Sequence, residues 1–155
     1  MKTFAIALML QLASIGFSFQ QSEAEIAKER EAIRNIVEMS YIDVLYYGKD
    51  IDDLKKGFHP EFNMYVLSGN KIDKRSLEQW MERLKAVRAR RSATTNSDDK
   101  NRYKHEFKSI DVTGYTAVAK IETFREGKLE YTDYLTLYKF EEGWRVMTKF
   151  FTQHR

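Results

Sequence analysis

The 155 residues carry 43% hydrophobic side chains, enough to bury a single core and too few to divide into two domains. The 26 basic and 23 acidic residues leave a net charge of only +3, and the basic run from Arg83 to Lys104 is almost free of stacking aromatics, which argues against a nucleic-acid partner. Cysteine is absent, and the three histidines at 59, 105 and 154 lack ligand spacing, so disulfide-stapled scaffolds, lipid attachment at a cysteine and metal centres are set aside.

At the amino terminus Lys2 precedes the apolar run FAIALMLQLASIGF, with the small residues Gly16 and Ser18 at the spacing a signal peptidase needs. Residues 1–18 are therefore expected to be a removable signal peptide. The run is shorter than the ~20 residues that cross a bilayer and is interrupted by Gln11, so no stable membrane insertion is expected. The domain at 22–152 is then expected to be exported, to the periplasm or beyond the cell.

Ser22 stands three residues before Glu25, the spacing of a capping box, and Gly48 lies past the end of an amphipathic pattern. One long helix is predicted, with Ile26, Ile33, Val37, Tyr41, Val44 and Leu45 on its apolar stripe. A short second helix runs from Asp50 to Gly57, ahead of the only proline, Pro60, and this sets His59 in a turn. In EFNMYVL, Phe62, Met64 and Val66 alternate with Glu61, Asn63 and Tyr65 as a strand with one buried face. The turn SGNK leads to a third helix from Asp73, with Leu77, Trp80, Met81, Leu84 and Val87 on one side. From Ser92 to Asp99 the apolar period stops, and a loop is predicted beside the cationic helix end.

Four strands follow as an antiparallel meander with turns at Gly114, Gly127 and Gly143. Strict alternation places Ala117, Ala119 and Ile121 on one face, joined by Tyr131, Asp133, Leu135 and Leu137 and by Trp144, Val146, Thr148 and Phe150. The opposite face carries Tyr134, Tyr138, Phe140, Met147 and Phe151, too apolar for water, and is expected to meet a second copy as a homodimer.

The order of helix, helix, strand, helix and four strands resembles the nuclear transport factor 2-like fold across the whole mature region. The resemblance implies an α+β cone in which three amino-terminal helices pack on a curved, mostly antiparallel sheet. The segments YIDVLYYGKDIDDLKKGFHPEFNMYVL, SIDVTGYTAVAKIE and YTDYLTLYKFEEGWRVMTKFF more narrowly resemble the bacterial exported subfamily named "putative lumazine-binding", similar in outline to SnoaL-like polyketide cyclases. Enzymes of that kind move a proton beside a carbonyl with a carboxylate or histidine. The resemblance therefore makes Asp133, His105 and His59 the catalytic candidates, with Asp133 as base and Tyr41 or His105 as electrophilic partner.

His105 shares a face with Phe107 unless a bulge around Lys108 and Ser109 shifts the strand. SnoaL-like relatives carry histidines on the last strand where this chain has Thr148 and Phe150, and neither of those titrates near neutrality. Three functions stay open. The first is a non-catalytic site for a small apolar or aromatic ligand lined by Tyr41, Trp80, Asp133, Thr148 and Phe150. The second is a SnoaL-like isomerase, cyclase or dehydratase, and the third a dimerisation module using the apolar sheet face. The seven glycines stand singly at turns, with no phosphate-binding loop, and no cofactor is called for.

Overall fold

We describe residues 22–92 and 102–154 in a computed structural model of the chain; the predicted signal peptide and the loop after Ser92 fall outside those residues. α1 (Glu23–Val37) starts at the predicted capping box, where the Ser22 hydroxyl accepts from Glu25 N at 3.2 Å and Glu25 Oε2 accepts from Ser22 N at 2.8 Å. The helix does not run on unbroken. It passes through a π-helical turn, Glu38–Ile42, into α2 (Asp43–Tyr46), and that turn buries Ser40, Tyr41 and Ile42 in succession. Inserted π-turns of this kind recur at functional sites because they re-aim side chains that a regular helix would spread around its circumference.

A 3₁₀ turn, Ile51–Asp53, leads to α3 (Leu54–Gly57). Gly57 matters for close approach rather than for ending the helix, since a Cβ there would lie 1.9 Å from Ser40 Oγ. β1 (Phe58–Ser68) begins at once, so His59 lies in a strand, contrary to the turn predicted for it. A second difference follows. β2 (Lys71–Ser76) pairs antiparallel with β1, where helix had been predicted from Asp73, and α4 spans Leu77–Ser92. Lys71, Ile72, Asp73 and Lys74 are exposed, so this edge strand lacks the alternation that marks a half-buried one. The helix start is nonetheless written in SLEQ, because Ser76 and Gln79 cap one another reciprocally.

β3 (Tyr103–Thr113), β4 (Thr116–Arg125), β5 (Lys128–Phe140) and β6 (Gly143–Gln153) form the predicted meander. The six-stranded sheet has the order β2-β1-β6-β5-β4-β3, antiparallel except where β1 runs parallel to β6. Helices cover its inner face. There Tyr41, Phe58, Phe62 and Trp80 form an aromatic cluster with ring centroids 4.9–6.1 Å apart. No helix among the described residues is long and apolar enough to cross a membrane.

Three register shifts bend the meander. Lys108 is the extra residue between Phe107 and Ser109 in β3, as the sequence suggested, Glu130 is the extra residue between Leu129 and Tyr131 in β5, and Met147 between Val146 and Thr148 in β6. The last one reverses the phase of β6. Trp144 and Val146 point inward, and so do Lys149 and Phe151, while Thr148 bonds the Thr136 hydroxyl at 2.6 Å and Phe150 stacks on Tyr65 at 5.2 Å on the outer face. The expected lining roles of Thr148 and Phe150 are thus corrected, as is the outer position assigned to Phe151. The outer face keeps the exposed Tyr134 and Tyr138 and gains Phe150.

Glu29 fastens α1 to the sheet, accepting from Lys139 Nζ at 2.6 Å and from Trp144 Nε1 at 2.7 Å. The Lys139 hydrogen bond holds its carboxyl below the usual carboxylate range, against the effect of burial. A depressed folded pKa contributes stability that is present above the unfolded value and lost as pH falls through the folded one. Glu29→Gln should therefore cost about 1–3 kcal/mol near pH 7 in urea denaturation, with the gap to wild type closing below pH ~4. A gap that stayed constant down to acid pH would contradict this role.

Candidate functional site

The π-turn, α2, one side of α4, the middle of β1 and the ends of β5 and β6 line an open cavity of about 350 Å³, within the ~300–1,000 Å³ usual for small-molecule sites. Its walls are aromatic, formed by Tyr41, Tyr46, Trp80, Tyr103, Tyr131 and Phe151. Charged groups also reach it, namely Arg75 from β2, Arg83 from α4, Glu130 from β5 and Lys149 from β6.

A buried polar triad stands at the wall. Tyr41 donates its hydroxyl to Asp133 Oδ2 at 2.7 Å, Lys149 Nζ donates to Asp133 Oδ1 at 2.6 Å, and Lys149 also donates to the Tyr41 oxygen. Asp133 and Tyr41 are fully buried and Lys149 is 5% exposed. The ammonium lies 4.6 Å from the centre of the Tyr41 ring, 5.1 Å from Phe151 and 6.0 Å from Trp80, so ring faces replace part of its lost hydration.

Burial pulls the Lys149 ammonium below the ordinary lysine value, and Asp133 counters part of that. Burial, followed by the Asp133 charge, pushes the Tyr41 phenol well above its ordinary value, and the same two causes raise Tyr46. Both phenols are therefore neutral donors at physiological pH.

Both sequence-predicted residues at the centre of the triad, Tyr41 and Asp133, are in place, and Trp80 closes the wall beside them. Asp133 is nevertheless sealed. Its two oxygens are held by Tyr41 and Lys149, which stand between it and the cavity. His105 faces the helices, 3.7 Å from Glu38 Oε1 and beside Tyr47 and Phe107, away from the triad. His59 accepts from Glu61 N at 3.1 Å through Nδ1 and stacks on Phe140 at 4.9 Å. Neither histidine joins Asp133.

Lys149 and Glu130 were missed because strict alternation was carried through two bulges. One signal was available: a carboxylate on an apolar strand face requires a partner, and Lys149 on the next strand supplies it only if the phase of β6 shifts.

The chain matches the family model described as "putative lumazine-binding" over residues 28–152. It belongs to this family. The fold is shared with a nuclear transport factor 2-like protein of unknown function from Shewanella baltica OS155, at 19% identity and TM-score 0.67, covering 88% of this chain and 99% of that one. A second such protein, from Methylobacillus flagellatus KT, matches at 17% identity and TM-score 0.61, covering 88% and 97%. A "putative dehydratase from the NTF2-like family" of Streptomyces avermitilis matches at 13% identity and TM-score 0.57, covering 84% and 99%. No curated protein sequence matches the chain. These likenesses establish the α+β nuclear transport factor 2-like fold read from the sequence.

Removing one partner of the buried pair strands a charge, so Asp133→Asn and Lys149→Met should each cost about 3–5 kcal/mol, while the double change to Asp133→Leu and Lys149→Met should cost less than either. Urea denaturation of the three variants checks this, and simple additivity would rule it out. Because their folded pKa values are raised, Tyr41 and Tyr46 contribute stability complete below pH ~10 and lost as pH rises through the folded values. In an alkaline titration followed by phenolate absorbance they should ionise only as the chain unfolds. Tyr41→Phe should shrink that late step, and an unchanged step would reject the assignment.

Proposed function

We propose that the protein is an exported domain that binds a small aromatic molecule in the Tyr41–Lys149 cavity and does not turn it over. The observation that carries this reading is the sealing of Asp133, since a carboxylate with no exposure and with a hydrogen bond from Tyr41 or Lys149 on each oxygen is out of reach of a substrate proton. Aromatic walls offer flat apolar surface, and the Lys149 ammonium at the wall, with one N–H not used within the triad, orients an acceptor group on the ligand. The match to a family described as "putative lumazine-binding" agrees with a ligand-holding role. Export rests on the leader at 1–18, with Lys2, the apolar run and the small residues before its end.

A second reading, proton transfer beside a carbonyl, is favoured by the Lys149 ammonium. Its remaining N–H would stabilise an enolate oxygen, and the base would then have to come from a group other than the sealed Asp133. The apolar outer face with Tyr134, Tyr138 and Phe150 supports a homodimer in either case.

Native mass spectrometry of the protein isolated unrefolded from its source organism tests these points together. The expected spectrum is a dimer of chains lacking about the first 18 residues, carrying a small molecule that Phe151→Ala releases and Tyr134→Glu leaves bound while splitting the dimer. An intact leader rejects export. An empty cavity together with consumption of a carbonyl substrate by the purified protein rejects the non-catalytic reading.

A further inference from the structure

Of the three cations that reach the cavity, two are already neutralised. Lys149 is paired with Asp133, and Arg75 is paired with Asp73, its Nε lying 2.7 Å from Oδ2. Arg83 has no ion pair or hydrogen bond among the described residues, although it sits on the α4 wall.

The extra residue of the β5 bulge, Glu130, lines the same cavity beside Tyr131. Its Oε2 is buried and has no hydrogen-bond partner among the described residues, and its Oε1 has only the long contact of 3.9 Å to Arg125. A buried carboxylate oxygen left unpaired is costly, and its presence in a cavity wall implies a donor that the protein itself does not supply. Bulges beside binding sites commonly serve to re-aim one side chain in this way.

Two aromatic pairs flank the space, Tyr46 with Tyr103 at 5.0 Å and Tyr131 with Phe151 at 6.1 Å between ring centres. Planar ring systems fit between such walls.

Resting on the binding reading above, we infer that the ligand is an amphoteric aromatic molecule, with a protonated amine or ring N–H on Glu130 and a carboxylate or comparable acceptor on Arg83. Arg83 and the bare Oε2 of Glu130, whose carboxylate otherwise has only the 3.9 Å contact to Arg125, are opposite in sign, so a ligand carrying only one charge leaves the other group without a close partner. A neutral hydrocarbon leaves both. Electrostatic complementarity of this kind sets which molecules are admitted more than the area buried does. The triad contributes a third fixed point, since the Lys149 ammonium has one N–H not used within the triad for the ring's own acceptor atoms.

Four probes sharing one ring separate the contributions: indole, tryptamine, indole-3-propionate and tryptophan, titrated calorimetrically into the full chain and into Glu130→Gln and Arg83→Gln. Tryptophan should bind at least about tenfold more tightly than indole, with the two singly charged probes between. Glu130→Gln should weaken tryptamine and tryptophan by about tenfold and leave indole and indole-3-propionate unchanged. Arg83→Gln should do the reverse, weakening only the two carboxylates. Thermal melting curves matching wild type confirm that each variant is folded, and Arg83 lies on an exposed helix surface where the change is tolerated. Indole binding as tightly as tryptophan, or tryptophan affinity unmoved by Glu130→Gln, overturns the ligand class while leaving a small-molecule site in place. Failure of all four probes, indole included, overturns both.

Discussion

The buried contact between Lys149 and Asp133, completed by the Tyr41 hydroxyl, is the constraint around which the inner face is arranged. Two charges held away from water are stable only when the geometry satisfies both, and here one carboxylate receives a phenol on one oxygen and an ammonium on the other. That requirement reaches three elements at once. The π-turn in the first helix swings Tyr41 inward, the bulge at Met147 brings Lys149 onto the helix side of β6, and β5 presents Asp133 between Ile121 and Phe151. A buried pair contributes little net stability over an apolar replacement. Its effect is to fix one register for β5 against β6, because a slip by a single residue would leave both charges unmatched.

The same geometry separates the two faces of the sheet. Inside, the aromatic cluster and the cavity share Tyr41 and Trp80, so the cavity is continuous with the core rather than laid on its surface. Outside, Tyr65 stacked on Phe150 and the exposed Tyr134 and Tyr138 make an apolar stripe separated from the cavity by one layer of backbone. The proposed ligand site and the proposed self-association surface therefore lie on opposite faces of the sheet and share no lining side chain.

Glu130 extends the logic of the bulges from structure to recognition. Without the extra residue in β5, Glu130 and Tyr131 would point to opposite faces, and only one of them would meet the cavity. With it, a carboxylate and an aromatic ring stand side by side in the wall.

Much of the fold was legible in the chain itself, because it rests on local and periodic signals: the Ser22–Glu25 capping box, the apolar stripe of the first helix and the glycine-punctuated meander all appear where they were read. β2 was not legible, since an exposed edge strand of KIDKRS carries no alternation and is recruited by its pairing with β1. Of the candidate site, Tyr41, Asp133 and Trp80 followed from their apolar neighbours at helical or strand spacing. Thr148, Phe150 and Phe151 were assigned to the wrong faces, and Lys149 and Glu130 were overlooked, because a period of two holds only until a bulge interrupts it. Where a bulge falls is decided by the ladder with the neighbouring strand and by the partner a buried charge must find. Periodicity along the chain thus determined the elements and most of the core, while the pairing of strands across the sheet decided which side chains meet in the cavity.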